Sequence, residues 1–183
     1  ASDVYKRQAI SRYGSGSNLM DYINSENNSW NIKEDLDFEV IKNLDGAIEG
    51  LSNGDADYFL WEKFTTKPLV DQNIFRRIGN CPSPWPCFVI AVREDFIENH
   101  KPELKVILDI INSETEHFKD IPDIDKTIAM RYDQKLEDVQ EWLSITEWSQ
   151  ELIDEQTIMN VQKELFALNI ISEVVDYANL VFK

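Results

Sequence analysis

The sequence contains few of the residues that build several common kinds of functional site. It has two histidines and two cysteines, and neither histidine lies close enough to Cys81 or Cys87 to give a zinc-binding spacing. No apolar run approaches the length needed to cross a bilayer. Basic residues are scarce as well, since 18 Lys and Arg stand against 34 Asp and Glu, for a net charge of −16. Without a basic block, the sequence predicts no nucleic-acid-binding surface.

Motifs for catalysis and for metal binding are also missing. No nucleophile-elbow, Walker or zinc motif occurs in the chain. An acidic cluster at Asp120, Asp123 and Asp125 lacks the glycine and the final glutamate of a calcium-binding loop. We therefore expect a protein that is not an enzyme, with no catalytic residue, no metal site and no cofactor.

The two cysteines lie in the segment CPSPWPC, which spans Cys81 to Cys87. Their spacing allows a small disulfide in an oxidising compartment, and it equally allows two reduced thiols. The three prolines of this segment predict a stiff, extended connector without helix.

The start of the chain stands apart from the rest. Residues 2–8, SDVYKRQ, resemble the translated sequencing-adapter remnant found at the ends of metagenomic contigs. A polar N-terminal extension is the alternative. On the first interpretation the natural sequence begins near Ala9, inside a longer protein, and residues 1–8 are therefore left out of the fold prediction.

Short apolar runs alternate with helical patterns up to the connector, which predicts a parallel sheet covered by helices. Beyond the connector the pattern becomes helical, after one more apolar run. The expected strands are 9–13, 38–41, 57–61, 75–78 and 88–92. Before the connector we also expect a loop at 24–35, a turn at 44–46, a helix from Ala47 that ends at Asn53-Gly54, and a short helix at 64–72 that contains Pro68. The expected helices after the connector are 94–119 with a break before Pro102, 123–133, 135–143, 154–168 and 174–182. The predicted parts are thus 9–80, a connector at 81–87, and 88–183.

Three segments, in this order and spacing, carry a resemblance to a known family. They are a strand, a GSGS loop and a helix from Arg12 to Tyr22; NGDADYFLWEKF from Asn53 to Phe64; and PCFVIAVREDFIENHKPELKVILDII from Pro86 to Ile111. Together they resemble the type II periplasmic solute-binding proteins of the nitrate, sulfonate and thiamine-precursor kind. The first segment resembles the loop that opens the second lobe of that family. The second resembles its turn followed by a strand that ends in Trp and an acidic residue, and the third resembles the return into the first lobe.

This resemblance implies an α/β fold in an N-terminally truncated fragment. The fragment would hold a complete second lobe, a parallel-rich sheet with flanking helices, plus the helical C-terminal part of the first lobe. The first βα units of the first lobe would be absent. The strand at 88–92 would then lack its usual neighbours, and residues 86–183 are expected to fold poorly alone.

The candidate ligand-binding residues lie in two places. In the loop, Ser15, Gly16, Ser17 and Asn18 offer backbone N–H groups and hydroxyls that suit an anionic or polar group. The alternative is helix capping alone, in which Ser17 or Asn18 satisfies the helix donors. The spacing favours Asn18 as N-cap, with Asp21 as its partner three residues on.

The second place is the end of the third predicted strand, where open α/β sheets bind ligands. Trp61 would stack on a planar ligand and Glu62 would accept a hydrogen bond, the alternative being a core tryptophan beside a solvated glutamate. Thr65 would add a hydroxyl. Trp85 would either wall the cleft or pack the hinge, and packing is favoured.

The resemblance implies a substrate-binding component of an ABC importer. A small polar or anionic molecule, with a planar one as an option, would bind in a cleft between the lobes. The partner would be an ABC permease. Contact with the membrane would come only through the transporter or a lipid anchor. The implied location is the periplasm or cell envelope, with the cytoplasm left open because the N-terminus is missing. Two alternatives stand: an enzyme like the thiamine pyrimidine synthases, and the ligand-sensing domain of a transcription regulator.

Overall fold

The computed structural model describes residues 6–182, which form two compact units. The first unit comprises the described residues up to Trp85 together with Val161–Val174, and the second comprises Pro86–Asn160 and the described residues from Val175 on. The division after Trp85 lies inside the proline-rich connector. The sequence predicts residues 161–174 as part of the segment 88–183, whereas in the structure they belong to the first unit.

The first unit is built on a three-stranded parallel sheet. The central strand β1 (Lys6–Ile10) lies between β2 (Leu36–Val40) and β3 (Tyr58–Phe59). With a neighbour on each side, β1 is the most protected strand, and its last three residues are fully or almost fully buried. The prediction of an α/β fold with a parallel sheet is confirmed.

The strand β1 begins earlier than the sequence predicts. It covers Lys6–Ile10 instead of the predicted 9–13, so residues 6–8 belong to the fold and leaving them out of it was wrong. Residues 1–5 lie outside the described residues. Lys6 and Arg7 make this strand difficult to recognise in the sequence, and both are paired with residues far along the chain. The Lys6 ammonium lies 3.9 Å from Asp35, and the Arg7 guanidinium donates to Asp57 at 2.9 Å. A short-range pattern does not reveal such partners.

Four helices belong to this part of the chain. They are α1 (Gly16–Asn27), α2 (Ile32–Asp35), α3 (Leu44–Asn53) and α4 (Lys63–Asp71). The short helix α2 lies in a segment predicted as a loop. Helix α4 contains Pro68, as the sequence predicts.

Helix α3 begins three residues before the predicted start, at Leu44. Its N-cap is Asn43, whose Oδ1 accepts from the Gly46 N–H at 2.9 Å. The sequence marks Gly46 as a turn residue, but the glycine has a packing role. A Cβ there would lie 1.9 Å from the carbonyl oxygen of Ile41, at the end of the neighbouring strand. The predicted helix end is confirmed, because Gly54 caps it in the left-handed conformation.

The hydrophobic core of the first unit lies between α3 and the sheet. Its buried members are Ala9, Ile41, Ala47 and Ala56, with Leu51 and Phe59 packed against them. Three of the four buried residues are alanines, so the helix backbone approaches the strand closely. This packing explains why a glycine is needed at the start of the helix.

The strands predicted at 75–78 and 88–92 are wrong. Neither segment forms a strand in the described part of the chain. Several of their apolar side chains face solvent instead, with Ile78 73% exposed and Phe88 97% exposed. An apolar run becomes a strand only where a neighbouring strand satisfies its backbone, and no described strand runs beside either segment.

Helices make up the second unit and continue into Val161–Val174. They are α5 (Glu94–Glu116), α6 (Ile124–Tyr132), α7 (Leu136–Ile145), α8 (Glu155–Ala167) and α9 (Tyr177–Leu180), with a 3₁₀ turn at Phe118–Asp120. The predicted break before Pro102 is confirmed, since His100 has the non-helical angles φ −137° and ψ 33°. Within the described residues, no helix combines the length and apolar character that crossing a membrane requires.

The second unit buries little of its apolar surface. Leu104 and Val139 are its buried hydrophobic residues, and Trp148 packs against Phe118 with ring centroids 5.0 Å apart. Helix α5 carries an exposed apolar row instead, which comprises Val106, Ile107, Ile110 and Ile111. The unit therefore depends on a few buried side chains.

Two substitutions in α5 test this distribution of burial. We expect Leu104→Ala to lower the free energy of unfolding by about 2–5 kcal/mol, because it removes one of the few buried side chains. Ile110→Ala, on the same helix but 57% exposed, should change it by about 0.5 kcal/mol or less. Urea denaturation followed by circular dichroism measures both. Equal losses would contradict the buried position of Leu104.

Candidate functional site

The carboxyl ends of β1 and β3 lie side by side in the sheet. Ala9 pairs with Phe59, and the chain leaves β1 towards α1 and β3 towards α4. In the strand order β2-β1-β3, the direction in which strands are added reverses between β1 and β3. Open parallel sheets bind ligands at such a point, beyond the carboxyl ends of the strands. We call this region, from Ser11 to Ser17 and from Leu60 to Glu62, the carboxyl edge.

The loop after β1 uses two of its predicted ligand-binding side chains for its own structure. Ser15 is the N-cap of α1, and its Oγ accepts from the Asn18 N–H at 3.4 Å and pairs with Ser17 Oγ at 3.0 Å. Asn18 Oδ1 accepts from the N–H of Gly14, whose φ is +72°. Both capping residues are buried. The prediction of Asn18 as N-cap is therefore wrong by three residues, because Ser15 fills that role.

The outer side of the same loop is open. Gly16 is exposed, Ser17 is half-buried, and a Cβ at Gly16 would meet no atom within 4 Å. They are the first two residues of α1, and the backbone N–H groups at the start of a helix have no carbonyl acceptor within the helix. Neither N–H has a hydrogen-bond acceptor among the described residues. With the positive end of the helix dipole, these donors suit an oxygen-rich group.

The end of β3 brings an aromatic ring to the carboxyl edge. Trp61 is 39% exposed, and its ring lies 6.0 Å from Phe59, which packs on Phe75. One face of the indole is thereby supported while part of the ring remains open to solvent. This exposure argues against a core tryptophan, and stacking of Trp61 on a ligand stays a prediction.

Glu62 has a structural task that the sequence analysis missed. It is the N-cap of α4, and its Oε2 accepts from the Thr65 N–H at 2.7 Å and from Thr65 Oγ1 at 2.8 Å. The Thr65 hydroxyl, predicted as a ligand contact, is therefore bonded to this cap. The other carboxylate oxygen of Glu62 accepts no hydrogen bond from the described residues. An acidic residue three positions before Thr65 is a sequence signal from which this N-cap could have been predicted.

Trp85 and the cysteines lie around the connector. Trp85 is half-buried, and its carbonyl accepts from Ser83 Oγ at 2.8 Å. No disulfide joins Cys81 and Cys87. Cys81 Sγ lies 3.7 Å from the Met20 carbonyl oxygen on α1. Whether Trp85 walls a cleft stays a prediction.

Comparison with known proteins supports one architecture. A family model described as Ca3427-like PBP matches residues 1–81. The structure is also similar to that of the Candida albicans CA3427 gene product, which is described as defining a new family with the generic periplasmic binding protein fold. The TM-score is 0.84, the identity is 23%, and the alignment covers 100% of this chain and 68% of that one. No curated protein sequence matches the chain.

The chain has the periplasmic binding protein fold. This finding confirms the resemblance at the level of the fold. The narrower assignment to the nitrate, sulfonate and thiamine-precursor kind stays a prediction, as does the truncation. In this fold the carboxyl edge of the first unit is the natural place to look for a ligand.

A buried polar layer lies beneath the loop, between α1 and the sheet. Tyr58 on β3 donates a hydrogen bond to Asp21 Oδ1, and Ser25 Oγ donates to the Asp21 carbonyl at 2.7 Å. Gln8 on β1 donates to the Ser17 carbonyl at 3.1 Å. Asp21, Ser25 and Gln8 are completely buried. This layer was not predicted from the sequence, although polar residues at positions 18, 21 and 25 follow one helix face.

The Asp21 carboxyl titrates far from its usual range. Burial raises the pKa of Asp21 to about 6, and the hydrogen bond from Tyr58 lowers it in part. Burial and the neighbouring Asp21 raise the pKa of the Tyr58 hydroxyl. Burial first, and the Asp21 charge second, also raise the pKa of the Cys81 thiol. The described residues contain no group of three or more His, Cys, Asp and Glu side chains that could hold a metal ion.

The raised pKa of Asp21 predicts a pH-dependent stability. In the unfolded chain the carboxyl has a pKa of about 3.9, so between that value and about 6 the folded state binds a proton that the unfolded chain has lost. The free energy of unfolding should therefore fall as pH rises from 4 to 7, by up to about 3 kcal/mol. Urea denaturation across this range measures it.

The substitution Asp21→Asn should remove most of that fall, because the amide does not titrate. Glu49→Gln, an exposed change on α3, is the matched control and should leave the fall intact. Parallel pH profiles for the parent chain and Asp21→Asn would contradict the assignment.

Proposed function

We propose that the protein binds a small polar molecule at the carboxyl edge, as the substrate-binding component of an ABC importer. The observation that carries the binding role is the pair of unpaired N–H groups at Gly16 and Ser17, on the strand end next to the exposed ring of Trp61. Two hydrogen-bond donors and an aromatic face on adjacent strand ends can hold one ligand from two directions.

These groups define the chemistry of the ligand. The first turn of α1 favours a negatively charged or carbonyl-like oxygen, because the donors and the helix dipole act together. The indole of Trp61 favours a flat body. The free oxygen of Glu62 favours a hydrogen-bond donor, such as an amino group, on the other side of that body. A planar molecule with an oxygen-rich end and an amino group fits best.

The importer role rests on the fold. Many folds serve several functions, and hydrogen-bond donors, an acceptor and an aromatic ring are the groups that orient a small molecule in a binding site. The proposal is therefore a binding protein that is not an enzyme, with an ABC permease as partner and a location in the periplasm or cell envelope.

A ligand screen tests the binding role. We expect at least one compound from a panel of nitrate, small sulfonates, carboxylates and aminopyrimidines to raise the Tm, since a ligand bound only by the folded state stabilises it. The compound's affinity should fall about tenfold in Trp61→Ala and stay near the parent value in Trp61→Phe, which keeps a ring. Titration calorimetry measures both. No shift with any compound, or equal affinity in Trp61→Ala, would contradict the proposed site.

Gly16→Ala separates ligand binding from folding. The added methyl meets no protein atom within 4 Å, so the Tm should stay within about 2 °C of the parent. It would stand on the open side of the loop, where the ligand binds, and we expect affinity to fall about tenfold, or about 1.4 kcal/mol. Gly79→Ala also adds a methyl in open space and is the matched control. Unchanged affinity in Gly16→Ala would place the ligand elsewhere.

A further inference from the structure

Three buried side-chain atoms beneath the loop have no hydrogen-bond partner in the described part of the chain. They are Gln8 Oε1, Asn18 Nδ2 and Asp21 Oδ2. Gln8 and Asp21 are 0% exposed and Asn18 is 2% exposed. Buried polar atoms are paired in the great majority of cases, so three orphaned atoms in neighbouring residues require an explanation.

The three residues are held in one layer by their other polar atoms. Gln8 Nε2 donates to the Ser17 carbonyl at 3.1 Å, and Asp21 Oδ1 accepts from Tyr58. Tyr58 is the strand partner of Gln8, so both side chains leave the sheet on the side that carries α1. Asn18 and Asp21 lie one turn apart on one face of that helix. The orphaned atoms therefore belong to the same space between β1, β3 and α1.

We propose that Gln8, Asn18 and Asp21 enclose one ordered water molecule that joins the first turns of α1 to the sheet. The three atoms present two acceptors and one donor. A water molecule donates two hydrogen bonds and accepts from the third, and buried waters typically make about three such bonds. The match covers every orphaned atom of the layer.

Other occupants fit less well. A metal cation would bind the two oxygens, but it would be repelled by the amide hydrogens of Asn18. An organic group has no open path to residues that are buried completely or almost so. Water also suits both forms of Asp21, because it accepts a hydrogen bond from the protonated carboxyl and donates one to the carboxylate.

The water site does not depend on what the carboxyl edge binds. It supports the same loop from inside, because Asn18 also holds the Gly14 N–H through Oδ1 at 3.0 Å. The unpaired N–H groups of Gly16 and Ser17 then belong to a loop that a buried hydrogen-bond network fixes to β1. The enclosed water is thus a structural ligand beneath the proposed binding site.

A high-resolution crystal structure of the full chain at neutral pH tests the proposal directly. We expect a solvent peak about 2.7–3.1 Å from each of Gln8 Oε1, Asn18 Nδ2 and Asp21 Oδ2. A peak about 2.3–2.6 Å from the two oxygens alone would be a cation and would overturn the proposal. Direct hydrogen bonds among the three side chains, with no peak, would overturn it as well.

Water-to-protein nuclear Overhauser effects give an independent measurement in solution. The side-chain amide protons of Asn18 should show the sign of a long-lived bound water, whereas those of Asn27, exposed on the same helix, should not. In Gln8→Met, which removes one acceptor at similar volume, the effect at Asn18 should be lost. No effect in the parent chain, or an unchanged one in Gln8→Met, would show that these residues do not hold the water.

Discussion

The attachment of α1 to the sheet through buried polar groups is the constraint on which the candidate site depends. The hydrogen bond between Tyr58 and Asp21 joins β3 to α1, and Gln8 joins β1 to the same helix through the Ser17 carbonyl. These bonds lie in a layer where most proteins place apolar side chains, and they fix the direction of the helix start. An apolar layer would hold the helix against the sheet without specifying which way its first N–H groups point.

The capping chemistry around each strand end serves the same purpose. Ser15 and Glu62, which the sequence predicts as ligand contacts, are N-caps of the helices that follow β1 and β3. Their caps place the open groups, since Ser15 leaves the N–H of Gly16 unpaired and Glu62 starts a helix directly after Trp61. The side chains of Ser15 and Glu62 are thus largely structural, while the backbone N–H of Gly16 and the ring of Trp61 remain available to a ligand.

Features set by local chemistry were predictable from the sequence, and features that need a distant partner were not. The helix end at Gly54 and the break before Pro102 follow from backbone preferences of single residues. The start of β1 did not, because Lys6 and Arg7 are tolerated there through partners far along the chain. The strand predicted at 88–92 failed for the same reason, since a strand exists only beside another. The sequence pattern assigns Asp21 to a cap, because its true partner, Tyr58, lies on β3, far along the chain.

The buried carboxyl also bears on the charge of the ligand. The first turn of α1 attracts an anion, but Asp21 lies one turn further along the same helix with no basic residue paired to it among the described residues. When Asp21 is ionised, its negative charge in a poorly screened interior opposes an anion at Gly16 and Ser17. When it is protonated, near or below a pH of about 6, that opposition disappears. A ligand with an uncharged oxygen end, such as a carbonyl, uses the same two donors without this conflict. The layer that positions the loop therefore also weighs against strongly anionic ligands at neutral pH.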